Sequence, residues 1–113
     1  MDKLVNYREI IKRILNEYIE LDKRQPTAGV EYLLIADDER GHYMWLNLGW
    51  AGNKRLNAET VYVRLRDGKF WIETDWTEKG IAADLLEAGV PKEDIVLAFQ
   101  HPDMRPFTDF AAA

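Results

Sequence analysis

The chain contains no cysteine and no serine. Without cysteine there is no disulfide framework, no thiolate zinc site and no thiol nucleophile. Without serine, a Ser/His/Asp hydrolase and a serine recombinase are both excluded. Histidine occurs only as His42 and His101, and neither sits in a His-Glu-x-x-His pair. His101-Pro102-Asp103 reads as a polar turn rather than a ligand pair. No cofactor is therefore expected. Long apolar runs are missing too, and Met1-Asp2-Lys3-Leu4 does not open a basic region followed by an apolar block. The expected location is the cytoplasm.

What the chain does have is apolar surface. It is 113 residues long, 47% hydrophobic and 12% aromatic, enough to offset chain entropy in one domain spanning residues 1–113. The formal net charge is −5, and its distribution is uneven. Residues 1–25 hold six basic and five acidic side chains, residues 26–72 six of each, and residues 73–113 three and nine. An acidic last third repels a phosphate backbone, so direct DNA binding by the chain alone starts at a disadvantage.

Leu4, Tyr7, Ile11, Ile14, Tyr18 and Leu21 recur at steps of three and four, with charged residues opposite. This spacing predicts an amphipathic helix of about five turns, packed on the domain's own sheet or on a partner helix. After Gln25-Pro26-Thr27-Ala28-Gly29 the period turns strand-like. Val30 to Ala36 forms a first strand, and Asp37 to Gly41 a polar turn. In the second strand Met44, Leu46, Leu48 and Trp50 are expected to face the core, with Tyr43, Trp45 and Asn47 behind them. Val61, Val63 and Leu65 alternate with Tyr62, Arg64 and Arg66 in a third strand. Asp67-Gly68 is a strong hairpin signal. It leads into a fourth strand, with Phe70, Ile72 and Trp76 on one side and Trp71, Glu73 and Asp75 on the other.

Asp75-Trp76-Thr77-Glu78 has capping-box spacing and opens a short helix with Ile81 and Leu85 on its inner side. Gly89-Val90-Pro91 closes it. Ile95 to Phe99 reads as a short buried strand. The stretch from His101 to Ala113 carries Met104, Phe107 and Phe110, three large anchors that pack down or wait for a partner. The predicted fold class is α+β: an antiparallel meander of four to five strands, with a long N-terminal helix and a short helix after the fourth strand packed on it.

Catalytic constellations are sparse. Gly49-Trp50-Ala51-Gly52 lies between two strands, where a phosphate-binding loop would lie between a strand and a helix. Asp67 with Glu73-Thr74-Asp75 places an acid where a metal-dependent nuclease needs a lysine. The five tyrosines pattern with helix or strand faces, as structural residues do. Three surfaces remain. Lys54, Arg55, Arg64, Arg66 and Lys69, interleaved with Tyr62 and Trp71, form a candidate DNA-contacting patch or else a solvated sheet face. Trp45 and Trp71, expected opposite the main core, serve a protein interface or a second layer of internal packing. Glu78, His101 and Arg105 would make an enzyme only if they met in one cleft.

The stretch Asp67-Gly68-Lys69-Phe70-Trp71-Ile72-Glu73-Thr74-Asp75-Trp76-Thr77-Glu78-Lys79-Gly80-Ile81-Ala82 resembles the XisI family of fdxN-element excision controlling factors. So do Gly89-Val90-Pro91-Lys92-Glu93-Asp94-Ile95-Val96-Leu97-Ala98-Phe99, then Arg105 and Phe107-Thr108-Asp109-Phe110-Ala111. Tyr7-Arg8, Ile11, Gly49-Trp50 and Arg55 also match, so the resemblance covers nearly the whole chain. Trp76 stands where the family has a smaller residue, Glu73 where it has glutamine, and Asn57-Ala58 where His-Gly is common.

This resemblance implies a cyanobacterial protein linked to excision of the fdxN element during heterocyst differentiation, acting with XisH and the recombinase XisF. It also leaves room for an antitoxin-like pairing with a nuclease-like XisH protein. The expected function is a non-catalytic regulatory subunit that binds an XisH-like protein through Trp45, Trp71, Trp76, Glu78, Arg105, Phe107 and Phe110. A DNA-binding accessory factor is the alternative, and a homodimer through the sheet face is a further expectation.

Overall fold

In a computed structural model, which describes residues 2–113, one helix lies across one face of a five-stranded sheet. Helix α1 (Lys3–Arg24) begins where the Asp2 carboxylate accepts from the Leu4 amide at 3.1 Å, closing one of the free donors of the first turn. Strands β1 (Val30–Asp37), β2 (His42–Ala51), β3 (Lys54–Arg66) and β4 (Lys69–Asp75) form the expected antiparallel meander. The β3–β4 turn is built as its sequence demands, with Asp67 and Gly68 at φ +55° and +74°. Helix α2 (Ile81–Glu87) then carries the chain over, so that β5 (Ile95–Leu97) adds to β4 in parallel. The fifth strand is shorter than Ile95 to Phe99.

The buried stripe of α1 is Tyr7, Ile10, Ile11, Ile14, Leu15 and Ile19, while Leu4 and Leu21 are exposed. A two-residue seam would suit one partner helix. A sheet is broader, and the stripe widens to i, i+3 and i+4 to cover it. Facing it are Tyr43, Trp45, Val61, Val63, Leu65, Phe70 and Ile72. Strand β2 is thus turned over relative to the expected orientation. Tyr43 and Trp45 point into the core, and Met44, Leu46, Leu48 and Trp50 point away from it.

Three carboxylates join the layers, Asp84 and Asp94 largely buried and Asp38 exposed, each shared by a tyrosine hydroxyl and a lysine. Asp94 takes Tyr7 and Lys3 at 2.5 and 2.8 Å. Asp84 takes Tyr18 and Lys79 at 2.5 and 3.0 Å. Asp38 takes Tyr43 and Lys12, both at 2.8 Å. Burial, followed by the Asp84 bond, pushes the Tyr18 pKa up to about 12, and burial with their own aspartates raises Tyr7 and Tyr43 as well. These phenols are bonded in the neutral form, which opposes a nucleophilic role.

Burial pushes the Asp94 carboxyl up, but the hydrogen bonds from Lys3 and Tyr7 outweigh it, and its pKa ends below the usual carboxylate value. Lys12 and Tyr43 lower Asp38 in the same way. A folded-state pKa below the unfolded one contributes stability that is present above pH ~4 and is lost as pH falls through the folded value. Asp94→Asn should therefore lower stability at pH 7 and flatten the decline below pH ~4. Thermal melts of both proteins from pH 7 to pH 3 check this, and parallel curves would contradict it.

Candidate docking face

Strand β4 changes the side its residues face part-way along. The β3–β4 register slips between Tyr62 and Val63, so Val63 pairs with Ile72 while Tyr62 pairs with Thr74, and Glu73 is the extra residue. This bulge breaks the alternation that put Trp76 beside Phe70 and Ile72. Phe70 and Ile72 are fully buried; Trp76 is 80% exposed.

The turn that follows fixes Trp76 in place. One Asp75 carboxylate oxygen accepts from the Thr77 amide and hydroxyl at 2.9 and 2.6 Å, and the other accepts from the Ile81 amide at 2.7 Å. The Gly80 amide donates to Thr77 Oγ1 at 3.1 Å, and the Trp76 amide donates to the Thr60 carbonyl at 3.0 Å. The capping box expected at Asp75 does not form: the helix starts at Ile81 with Gly80 as its N-cap, and Asp75 instead reaches across six residues to accept from the Ile81 amide. Asp75→Ala removes the acceptor for three donors at once and should cost about 2–3 kcal/mol. Urea unfolding reads this directly, and a loss under about 0.5 kcal/mol would show that the turn holds itself.

Trp76 shares a shallow hollow with Glu73, Thr74, Asp75 and Phe99. Phe99 sits there because its amide donates to the Ile72 carbonyl at 3.1 Å just after β5 ends, which leaves its ring half exposed. Sequence reasoning placed Phe99 inside. The polar Gln100-His101-Pro102 that follows was the available sign that the strand ends early.

The C-terminal segment behaves in two ways. Phe110 packs against the core, and Ala111 bridges Val96, its amide donating to the Ile95 carbonyl at 2.9 Å. Phe110 is therefore an internal anchor rather than a free docking residue. Phe107, two positions past Arg105, is 82% exposed, and Met104 is half exposed. Arg105 is committed inward, donating to the Gln100 and Ala98 carbonyls at 3.0 and 3.1 Å.

Two tryptophans expected at an interface are unavailable to one. Trp45 is 5% exposed and lies under α1, with Tyr18 stacked on it at 5.7 Å. Its indole donates to Asn47 Oδ1 at 2.9 Å, and Asn47 reaches Thr60 at 3.3 Å beside the β2–β3 irregularity. Trp71 does lie opposite the core, yet it is 7% exposed. The Arg66 and Arg105 guanidinium groups lie 4.4 and 5.7 Å from its ring centre, and its indole donates to the Arg66 carbonyl at 3.0 Å. Internal packing is the correct reading for both. Glu78 is exposed on the same turn as Trp76.

The basic set does not form one patch. Lys54 and Arg66 stand at opposite ends of the 13-residue β3, roughly 40 Å apart at ~3.3 Å per residue. Arg55 lies 5.4 Å from the Trp50 ring, Arg64 lies 3.8 Å from Glu73, and Arg66 lies 3.7 Å from Asp67. Lys69 donates to the Ala113 main-chain oxygen at 2.5 Å.

The hollow beside Trp76 contains none of Glu78, His101 and Arg105. Nδ1 of His101 instead accepts from the Asp103 amide at 3.1 Å, as a polar turn would have it. Among the described residues no three His, Asp or Glu side chains gather as metal ligands. No helix among them is long and apolar enough to cross a membrane.

A long helix on a mostly antiparallel five-stranded sheet, with a short helix after the fourth strand, makes this an α+β domain. The family model described as "XisI protein" matches residues 1–112, and the chain belongs to the XisI family. It is similar to the crystal structure of a XisI-like protein from Anabaena variabilis ATCC 29413, with 40% identity and a TM-score of 0.92 over 97% of this chain and 99% of that one. It is also similar to the crystal structure of fdxN element excision controlling factor XisI from the same organism, with 41% identity and a TM-score of 0.87 over 99% of this chain and 100% of that one. No curated protein matches the chain.

Proposed function

We propose that this protein is a non-catalytic regulatory subunit that controls DNA excision by docking an XisH-like protein through Trp76, Glu78 and Phe107. The observation that carries this reading is the exposure of Trp76 and Phe107, at 80% and 82%. A side chain of this size held in water by a rigid turn is costly to the isolated chain and typical of an interface anchor. Charge supports the same reading: residues 73–113 hold nine acidic and three basic side chains. An acidic subunit of this kind suits a partner whose own surface is basic because it handles nucleic acid. The fdxN element excision controlling factor XisI that this chain is similar to is a controlling factor by name.

Co-expression with an XisH-like protein, purification by a tag on one chain, and assays of DNA binding and cleavage test the proposal. A stable complex with altered DNA binding or cleavage is the expected result. Failure to co-purify, together with salt-sensitive binding of duplex DNA by this chain alone, would replace it with a DNA-binding accessory role.

A further inference from the structure

On the face of the sheet turned away from α1, Arg105 of the C-terminal segment covers Trp71 of β4, and the strand register says what β1–β3 display. Leu34 pairs with Trp45, which faces α1. Leu33 and Ile35 therefore face the other way, and so do Met44, Leu46 and Leu48 of β2 and Tyr62 of β3. Ile35, Met44 and Tyr62 lie side by side across three strands, with Leu33 and Leu46 in the adjacent row. An antiparallel sheet with one wet face ordinarily shows polar residues there. Here the row is apolar, and Ile35 is 48% exposed.

The charges on either side of that row are opposite in sign. Arg64, paired with His42, flanks it on one side, and Glu59, paired with Leu46, flanks it on the other. Glu59 is exposed and has no ion-pair partner among the described residues. Arg64 has one carboxylate near it, Glu73 at 3.8 Å, which is beyond hydrogen-bond length. A surface that meets its own copy across a two-fold axis must carry both signs, placed symmetrically about that axis.

We propose that this face is a self-association surface, on which a second copy of the chain packs sheet to sheet about a two-fold axis running along Ile35, Met44 and Tyr62. These three side chains then meet their own copies at the apolar centre. Glu59 of each copy lies over Arg64 of the other, so the ion pair is made twice, once on each side of the axis. The contact is centred on β1–β3 and adjoins the Trp76 hollow, whose Glu73 lies 3.8 Å from Arg64.

Sedimentation velocity on the full chain over a wide concentration range tests this. A species of twice the 13.2 kDa chain mass is expected. Ile35→Asp should raise its dissociation constant at least about a hundredfold, because a carboxylate then faces its own copy in an apolar centre. Glu59→Arg and Arg64→Glu should each weaken the dimer by about tenfold. Mixed in equal amounts, these two variants should restore it, since both cross-pairs become opposite in charge. A monomer at every concentration, or an Ile35→Asp protein that is folded and still dimeric, would overturn the proposal. Charge variants that fail to recover on mixing would overturn the axis.

Discussion

Gly49→Ala should destabilise the protein by about 3 kcal/mol or more, lowering Tm by roughly 10 °C or more for a domain of this size. Gly49 pairs with Val30 of β1 and Leu56 of β3, and its φ is +150°. A Cβ built there would lie 2.0 Å from the Gly29 carbonyl oxygen and 3.0 Å from the Val30 Cα. Both atoms are backbone, so neither can rotate aside. The same carbonyl accepts the Trp50 amide at 3.0 Å, and moving it would open the β1–β2 pairing at its start. Gly52 is the control. It lies in the β2–β3 turn at φ +62° with nothing within 4 Å of its Cβ position. Gly52→Ala should cost only the left-handed backbone term of about 1 kcal/mol. Chemical denaturation of both variants separates the clash from the conformational term, and equal losses would refute the close-approach argument.

Truncating Trp76 and Phe107 together should leave stability within about 0.5 kcal/mol of the parent, because both side chains are largely in water. Affinity for the XisH-like partner should instead fall at least about a hundredfold, as expected when two aromatic anchors are removed. Trp45→Phe should show the opposite pattern: stability falls, since the indole is buried and bonded to Asn47, and partner affinity is unchanged. Calorimetric titration of the three proteins distinguishes them. Equal affinity for the parent and the Trp76/Phe107 variant would place the interface elsewhere.

Much of the fold is legible in the sequence because single residues dictate it. The helical period of α1 and the Asp67-Gly68 turn each name their element, and the apolar run at Ile95 names a strand without showing that it ends at Leu97. Strand β2 is different. It is apolar on both faces, with Tyr43 and Trp45 alternating against Met44, Leu46 and Leu48, so a period of two shows alternation without showing which face is inside. The arrival of α1 decides it. The bulge at Glu73 is invisible for a related reason, since nothing in Ile72-Glu73-Thr74 announces an extra residue, and every side assigned beyond it is reversed.

The candidate site was partly legible for the same reasons. The exposure of Trp76 is hidden from the sequence because simple alternation puts it beside Phe70 and Ile72, and Phe107 is one of three large residues whose type alone leaves packing down and waiting for a partner equally open. Trp71 could not be recognised as covered, because its cover comes from Arg66, five residues back, and Arg105, on a different element. The basic residues of β3 looked contiguous only because a list of residues has no length; on an extended strand they spread over nearly the whole sheet.

Hydrogen exchange of the chain with and without the XisH-like partner tests the central claim most directly. The account predicts new protection in the turn 75–80 and in the segment 99–108, around Trp76 and Phe107, with the two ends of β3 unchanged. Protection confined to β3 near Lys54 or Arg64, with Trp76 and Phe107 still open to solvent, would contradict it.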